Sequence, residues 1–193
     1  TSKRWHKVYA TLNSFYCRDE EWPETVPSGV RRIAFLGDSF TYGSGVNLPA
    51  DRFTDIIEQR FHDQRKPVDV LNVAWPGWHT GDHIWAVREF LSKLDVDEVV
   101  LCYLPNDIEK LIPARDGQNP IAPPESVYLN VETSFLLDYL FHRVVAPRTR
   151  QGPTSLDWLA AAYADPQIWD AQQRQLAQFV RVCREQGLEL RAV

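Results

Sequence analysis

Three short clusters carry the chemistry in this 193-residue chain, and each one ends an apolar run. Gly37-Asp38-Ser39 closes Arg31-Arg32-Ile33-Ala34-Phe35-Leu36, and Trp75-Pro76-Gly77-Trp78-His79 follows Val68–Val73. Asn106-Asp107 comes just after Glu98–Tyr103. The carboxyl ends of strands are where open α/β sheets bind ligands, so a serine on such a turn can project its hydroxyl into a cleft. It becomes a nucleophile when a base is supplied. Acyl transfer also needs hydrogen-bond donors aimed at the oxyanion that develops on the carbonyl. The Ser39 N–H, the Gly77 N–H and the Asn106 side-chain amide are candidates for those three donors. Glycine suits position 77 because a residue without Cβ lets a ligand approach the backbone.

Each of these residues also has a plainer reading. Ser39 alone could be a turn or cap serine, and Asn106 could cap the segment that follows it. Asp38 is expected to order its turn through side-chain to backbone hydrogen bonds and not to take protons. Asp107 is expected to be structural. His79 and His83 follow the second strand end, where pocket lining or helix capping suits them better than a base role. Tyr42, Trp75, Trp78 and Trp85 form either an aromatic floor beside the site or part of the core, and the sequence does not choose. Gly43-Ser44-Gly45 lacks the Gly-Lys-Ser/Thr continuation of a phosphate loop. The histidines and cysteines show no metal-ligand spacing, and no cofactor is called for.

The elements that must position these residues follow from periodicity. Runs 31–36, 68–73, 98–103 and 188–193 are short and rich in Val, Ile and Leu, as buried strands are. Between them, 51–62 places Phe53, Ile56, Ile57 and Phe61 on one helical face, and 80–94 does the same with Ile84, Val87, Leu91 and Leu94. Thr80 is the expected N-cap of the latter. Residues 167–186 form a third helix burying Ile168, Trp169, Leu176, Phe179, Val180 and Cys183, with Gly187 to stop it. Strands alternating with amphipathic helices imply a doubly wound parallel sheet in a three-layer α/β/α sandwich, flavodoxin-like, with strand order 2-1-3-4. The proline-rich stretch 112–153 breaks the pattern and is expected to be an insertion within a single domain, with a helix over 133–145. There Asp138 and His142 would make an i,i+4 surface pair. Residues 1–30 form a lead-in.

Composition narrows the partners. The net charge of −5 gives no electrostatic reason to expect nucleic acid. No run of about 18 apolar residues is present to span a bilayer. Three cysteines cannot close a disulfide framework. Cys102 and Cys183 are expected to be buried thiols.

Taken together, the three blocks resemble the SGNH (GDSL-type) hydrolase family. Gly37-Asp38-Ser39-Phe40-Thr41 is similar to its first block, Gly77 to its second and Asn106-Asp107 to its third. Asn13-Ser14-Phe15-Tyr16-Cys17-Arg18-Asp19 resembles a lead-in of many bacterial members, with Tyr16-Cys17 where a Gly-aromatic pair is common. Leu104 stands where the third block usually begins with glycine. The resemblance implies that Ser39 is the nucleophile of an ester hydrolase acting on a small-molecule or glycan ester, with Gly77 and Asn106 as oxyanion donors. The same residues would serve O-acyl transfer to a polysaccharide hydroxyl, or a module that binds a glycan or ester without turnover. The family's catalytic Asp and His come in a late Asp-x-x-His block, and no such block occurs in this sequence. The resemblance places that block, with a last strand and helix, after Val193. The chain is therefore expected to be a piece of something longer.

Overall fold

The computed structural model describes residues 11–112 and 155–193. The expected insertion at 112–153, its helix at 133–145, the Asp138/His142 pair and His6 lie outside the described residues. Four strands run parallel: β1 (Arg31–Gly37), β2 (Val68–Ala74), β3 (Glu98–Leu101) and β4 (Glu189–Ala192). Their order is β2-β1-β3-β4, as the alternating pattern predicts. The register pairs Gly37 with Ala74 and Leu36 with Leu101, so β1, β2 and β3 end level with one another. The chain leaves β1 for one neighbour and later returns on its other side. That reversal puts a crevice at the carboxyl end of β1, where ligands bind in open sheets.

Strands β1 to β3 are mostly apolar because both faces of the sheet are covered there. Ala34, Leu36, Leu71, Val73, Val99 and Leu101 face one layer, α3 (Thr80–Glu89) and α5 (Pro166–Glu185). Ile33, Phe35, Val70 and Val100 face the other, where Ile57 of α2 (Phe53–Asp63) packs. These layers make the three-layer α/β/α sandwich. Two further helices are α1 (Ser39–Tyr42) and α4 (Ser155–Ala164). Short 3-10 turns span Pro49–Asp51, Leu91–Lys93 and Pro105–Leu111. Among the described residues no helix is long and apolar enough to cross a membrane.

Local differences from the periodicity have physical causes. In α2 the inward face is shifted: Phe53 and Ile56 are exposed while Thr54 is buried. Thr54 faces inward because its hydroxyl accepts from buried Asn72 at 2.9 Å. Helix α3 ends at Glu89, and the 3-10 turn after it still buries Leu91, with Leu94 buried just beyond. Its N-cap is His79, not Thr80, whose hydroxyl is taken by a different partner. In α5, Val182 is buried where Val180 was expected to be, and fully buried Gln172 joins that face. Asp165 caps α5 by accepting from the Gln167 N–H at 2.8 Å, and Gly187 follows its end at φ +72°. Cys102 is only half-buried.

The lead-in is part of the core. Cys17 and Trp22 are buried with the α3/α5 layer, and Phe15 stacks on Trp22 with 5.2 Å between ring centroids. Arg32 on β1 is fully buried; its Nε reaches Asp69 at 2.6 Å and its Nη1 donates to the Pro23 carbonyl at 2.7 Å.

Candidate functional site

β1 delivers Gly37, Asp38 and Ser39 into the one-turn helix α1. A Cβ on Gly37 would lie 2.0 Å from Thr41 Oγ1, so only glycine lets the turn fold back this tightly. Asp38 is the N-cap of α1, its Oδ1 accepting the Phe40 N–H at 2.9 Å. This leaves Ser39 as the first helical residue, half-exposed at the carboxyl end of the sheet's central crevice. Its hydroxyl takes no hydrogen-bond partner among the described residues. Thr41, one turn below, is buried.

Gly77 sits in the exposed turn after β2 at φ +82°, a left-handed conformation that glycine adopts freely. Its N–H makes no hydrogen bond among the described residues. Beyond β3, Leu104 is extended at φ −119°, a conformation that needs no glycine. Asn106 does not cap the 3-10 turn in which it lies: its Nδ2 donates to Asp38 Oδ2 at 3.3 Å. One carboxylate thus shapes the Ser39 turn and holds the Asn106 amide beside it. The amide's second N–H is left for another acceptor.

Asp107 is buried, with its Oδ2 3.6 Å from Nε2 of fully buried His83. His79 is buried at the start of α3, its N–H donating to Asp82 at 2.9 Å. Neither histidine hydrogen-bonds Ser39. The aromatic residues divide. Tyr42 and Trp75 form an edge-to-face pair at 5.6 Å, and both are half-buried at the ends of α1 and β2. Trp78 instead packs with Trp85 and Phe90, and its ring also contacts His83.

Several residues that support the Ser39 turn were not singled out from the sequence. Arg18 is buried and donates to the carbonyls of Gly43 and Val46, each at 2.8 Å, which pins the loop after α1. Burial and the nearby Arg52 hold its guanidinium pKa below the usual arginine value. Arg52 in turn donates to the Arg18 carbonyl and to Asp55. Asn72 on β2 donates to the Thr41 carbonyl at 2.6 Å from beneath. An asparagine between Leu71 and Val73, inside the apolar half of β2, is the signal that points to such a role. Burial raises the Cys102 thiol pKa, against the hydrogen bond from Thr41.

No family model matches the chain, and no curated protein matches it. Among solved structures it is similar to the crystal structure of TesA, at 16% identity and a TM-score of 0.41, over 83% of this chain and 77% of that one. It is also similar to an aspartate-to-alanine mutant of the esterase AlinE4, at 14% identity and a TM-score of 0.38, over 86% of this chain and 77% of that one.

Proposed function

We propose that this chain supplies the nucleophile and the oxyanion hole of a serine ester hydrolase that works through an acyl-enzyme. The observation that carries the reading is the Asn106–Asp38 hydrogen bond, which brings the amide of the third block to the turn of the first. Around it lie the unpartnered Ser39 hydroxyl and the free Gly77 N–H, at the level ends of adjacent strands.

In the proposed reaction Ser39 Oγ attacks the ester carbonyl while its proton passes to a base. The oxyanion accepts hydrogen bonds from the Ser39 N–H, the Gly77 N–H and Asn106 Nδ2. Collapse breaks the bond to the alcohol oxygen, which takes the proton back from the base, now acting as acid. Water then attacks the acyl-enzyme by the same route and releases the acid. Among the described residues no histidine or carboxylate hydrogen-bonds the Ser39 hydroxyl. We assign the role of base to a histidine, oriented by an aspartate, supplied after Val193. The proposed substrate is a carboxylic ester with a short acyl group, such as acetyl, on a small molecule or glycan.

The test is p-nitrophenyl acetate hydrolysis by residues 1–193 and by the polypeptide continued through its natural downstream residues, each with and without Ser39→Ala. The short chain is expected to stay near the uncatalysed rate and the longer one to show turnover that Ser39→Ala removes. Turnover by the longer form that survives Ser39→Ala would overturn the reading. A rate that rises only when a glycan acceptor is added would make the protein an acyltransferase.

A further inference from the structure

A line of hydrogen bonds, buried at Gln172 and reaching the surface at Pro105, runs beneath the Gly77 and Asn106 blocks. Gln172 is fully buried, and its Nε2 donates to Thr80 Oγ1 at 2.9 Å and to the Tyr103 hydroxyl at 3.3 Å. The Tyr103 and Tyr163 hydroxyls are 2.5 Å apart, and the Tyr163 hydroxyl donates to the Pro105 carbonyl at 3.0 Å. The proton order follows: Tyr163 donates to Pro105, so Tyr103 donates to Tyr163 and is free to accept from Gln172. Burial raises the Tyr163 pKa well above the ordinary tyrosine value, with the Tyr103 hydrogen bond adding to it, so the hydroxyl stays protonated and able to donate.

The ends of this line are what give it meaning. Thr80 opens α3, three residues after Gly77, and Pro105 immediately precedes Asn106. Gln172 therefore ties together the two segments that carry Gly77 and Asn106, without touching either residue. The His83–Asp107 contact at 3.6 Å is a second link between the same segments. Gln172 itself is on neither segment. It comes from α5, a helix that otherwise presents Phe179, Val182 and Cys183 to the core. A buried amide at the cleft end of an apolar face loses its hydration, and it regains hydrogen bonds only through partners at both strand ends.

We infer that Gln172 is a positioning residue that fixes the spacing between the Gly77 and Asn106 donors through Thr80, Tyr103 and Tyr163. The inference rests on the hydrolase reading above. Oxyanion donors act on the transition state, so a change in their spacing lowers kcat and leaves ground-state binding alone. A misplacement of about 1 Å can cost on the order of a hundredfold in rate.

The test uses the form of the polypeptide that shows Ser39-dependent hydrolysis of p-nitrophenyl acetate, with Gln172→Leu, Tyr103→Phe and the double variant. Gln172→Leu removes the amide but keeps a side chain of similar size, and Tyr103→Phe keeps the ring packing while cutting the line. Each single variant is expected to lower kcat roughly tenfold or more with KM within about twofold, at temperatures where circular dichroism shows it folded. The double variant is expected to lose no more than the larger single effect, because both cut the same line. Folded variants with wild-type kcat, or losses that simply multiply, would overturn the inference. If Gln172→Leu does not fold, Tyr103→Phe decides by the same kcat criterion. Wild-type turnover that does not depend on Ser39 would instead remove the hydrolase reading, and this inference with it.

Discussion

Asn106 Nδ2 donates to Asp38 Oδ2 at 3.3 Å, which joins residues 68 positions apart and ties the third strand end to the Ser39 turn. Asp38 was expected to order its turn, and it does so with Oδ1. Its second oxygen does something the sequence did not reveal, which is to hold the amide in place. Asn106→Ala is expected to lower kcat by about 10²–10³, the usual cost of losing one oxyanion donor. KM should change little, and steady-state kinetics on the active form checks both.

Glycine is needed at positions 77 and 37 for different reasons. At Gly77 an added Cβ meets nothing within 4 Å, yet φ is +82°, so alanine there is strained only by the backbone. Gly77→Ala should cost roughly 1–2 kcal/mol, read from the urea midpoint. At Gly37 the Cβ would lie 2.0 Å from Thr41 Oγ1, so Gly37→Ala should be the more destabilising of the two. Equal midpoints for both variants would contradict this.

Arg32 is fully buried and bonded to Asp69 and to the Pro23 carbonyl, so it anchors both β2 and the lead-in. Arg32→Ala removes charge-assisted hydrogen bonds to partly exposed Asp69 and to the Pro23 carbonyl and should cost about 1.5–3 kcal/mol. Denaturant unfolding measures it.

Burial pushes the Cys17 thiol pKa up from 9.0 to about 12, the nearby Asp19 carboxylate adding to it. Above pH 9 the unfolded chain therefore gives up this proton more readily than the folded one. Stability is whole below pH 9 and falls as pH rises from there towards 12. Cys17→Ala should flatten that alkaline limb in urea titrations taken at several pH values. Alkylation of native protein at pH 8 should spare Cys17, since its thiol is neutral and buried.

Strand positions and sheet order were legible because apolar runs 31–36, 68–73 and 98–103 are separated by helix-period segments, and that pattern admits few topologies. The order β2-β1-β3-β4 followed from it. The polar residues that brace the site were less legible. Arg18, Asn72 and Gln172 are charged or polar at positions where pattern alone implies a loop, a strand face and a helix face. Each is buried because a partner distant in sequence, such as the Gly43 carbonyl, the Thr41 carbonyl or Thr80, meets its hydrogen-bonding need. No local period encodes such partners. The inward face of α2 was misjudged for the same reason, since Thr54 points in to meet Asn72.

The proposed function makes Ser39 a nucleophile whose base is supplied after Val193. Peptide mapping of fluorophosphonate-labelled protein checks both parts, comparing residues 1–193 with the polypeptide continued through its natural downstream residues. A single adduct on Ser39 is expected, formed rapidly in the longer form and slowly in the short one. An adduct on any other residue would contradict it. So would equally fast labelling of Ser39 in the short chain, which would place the base, His79 or His83, within residues 1–193.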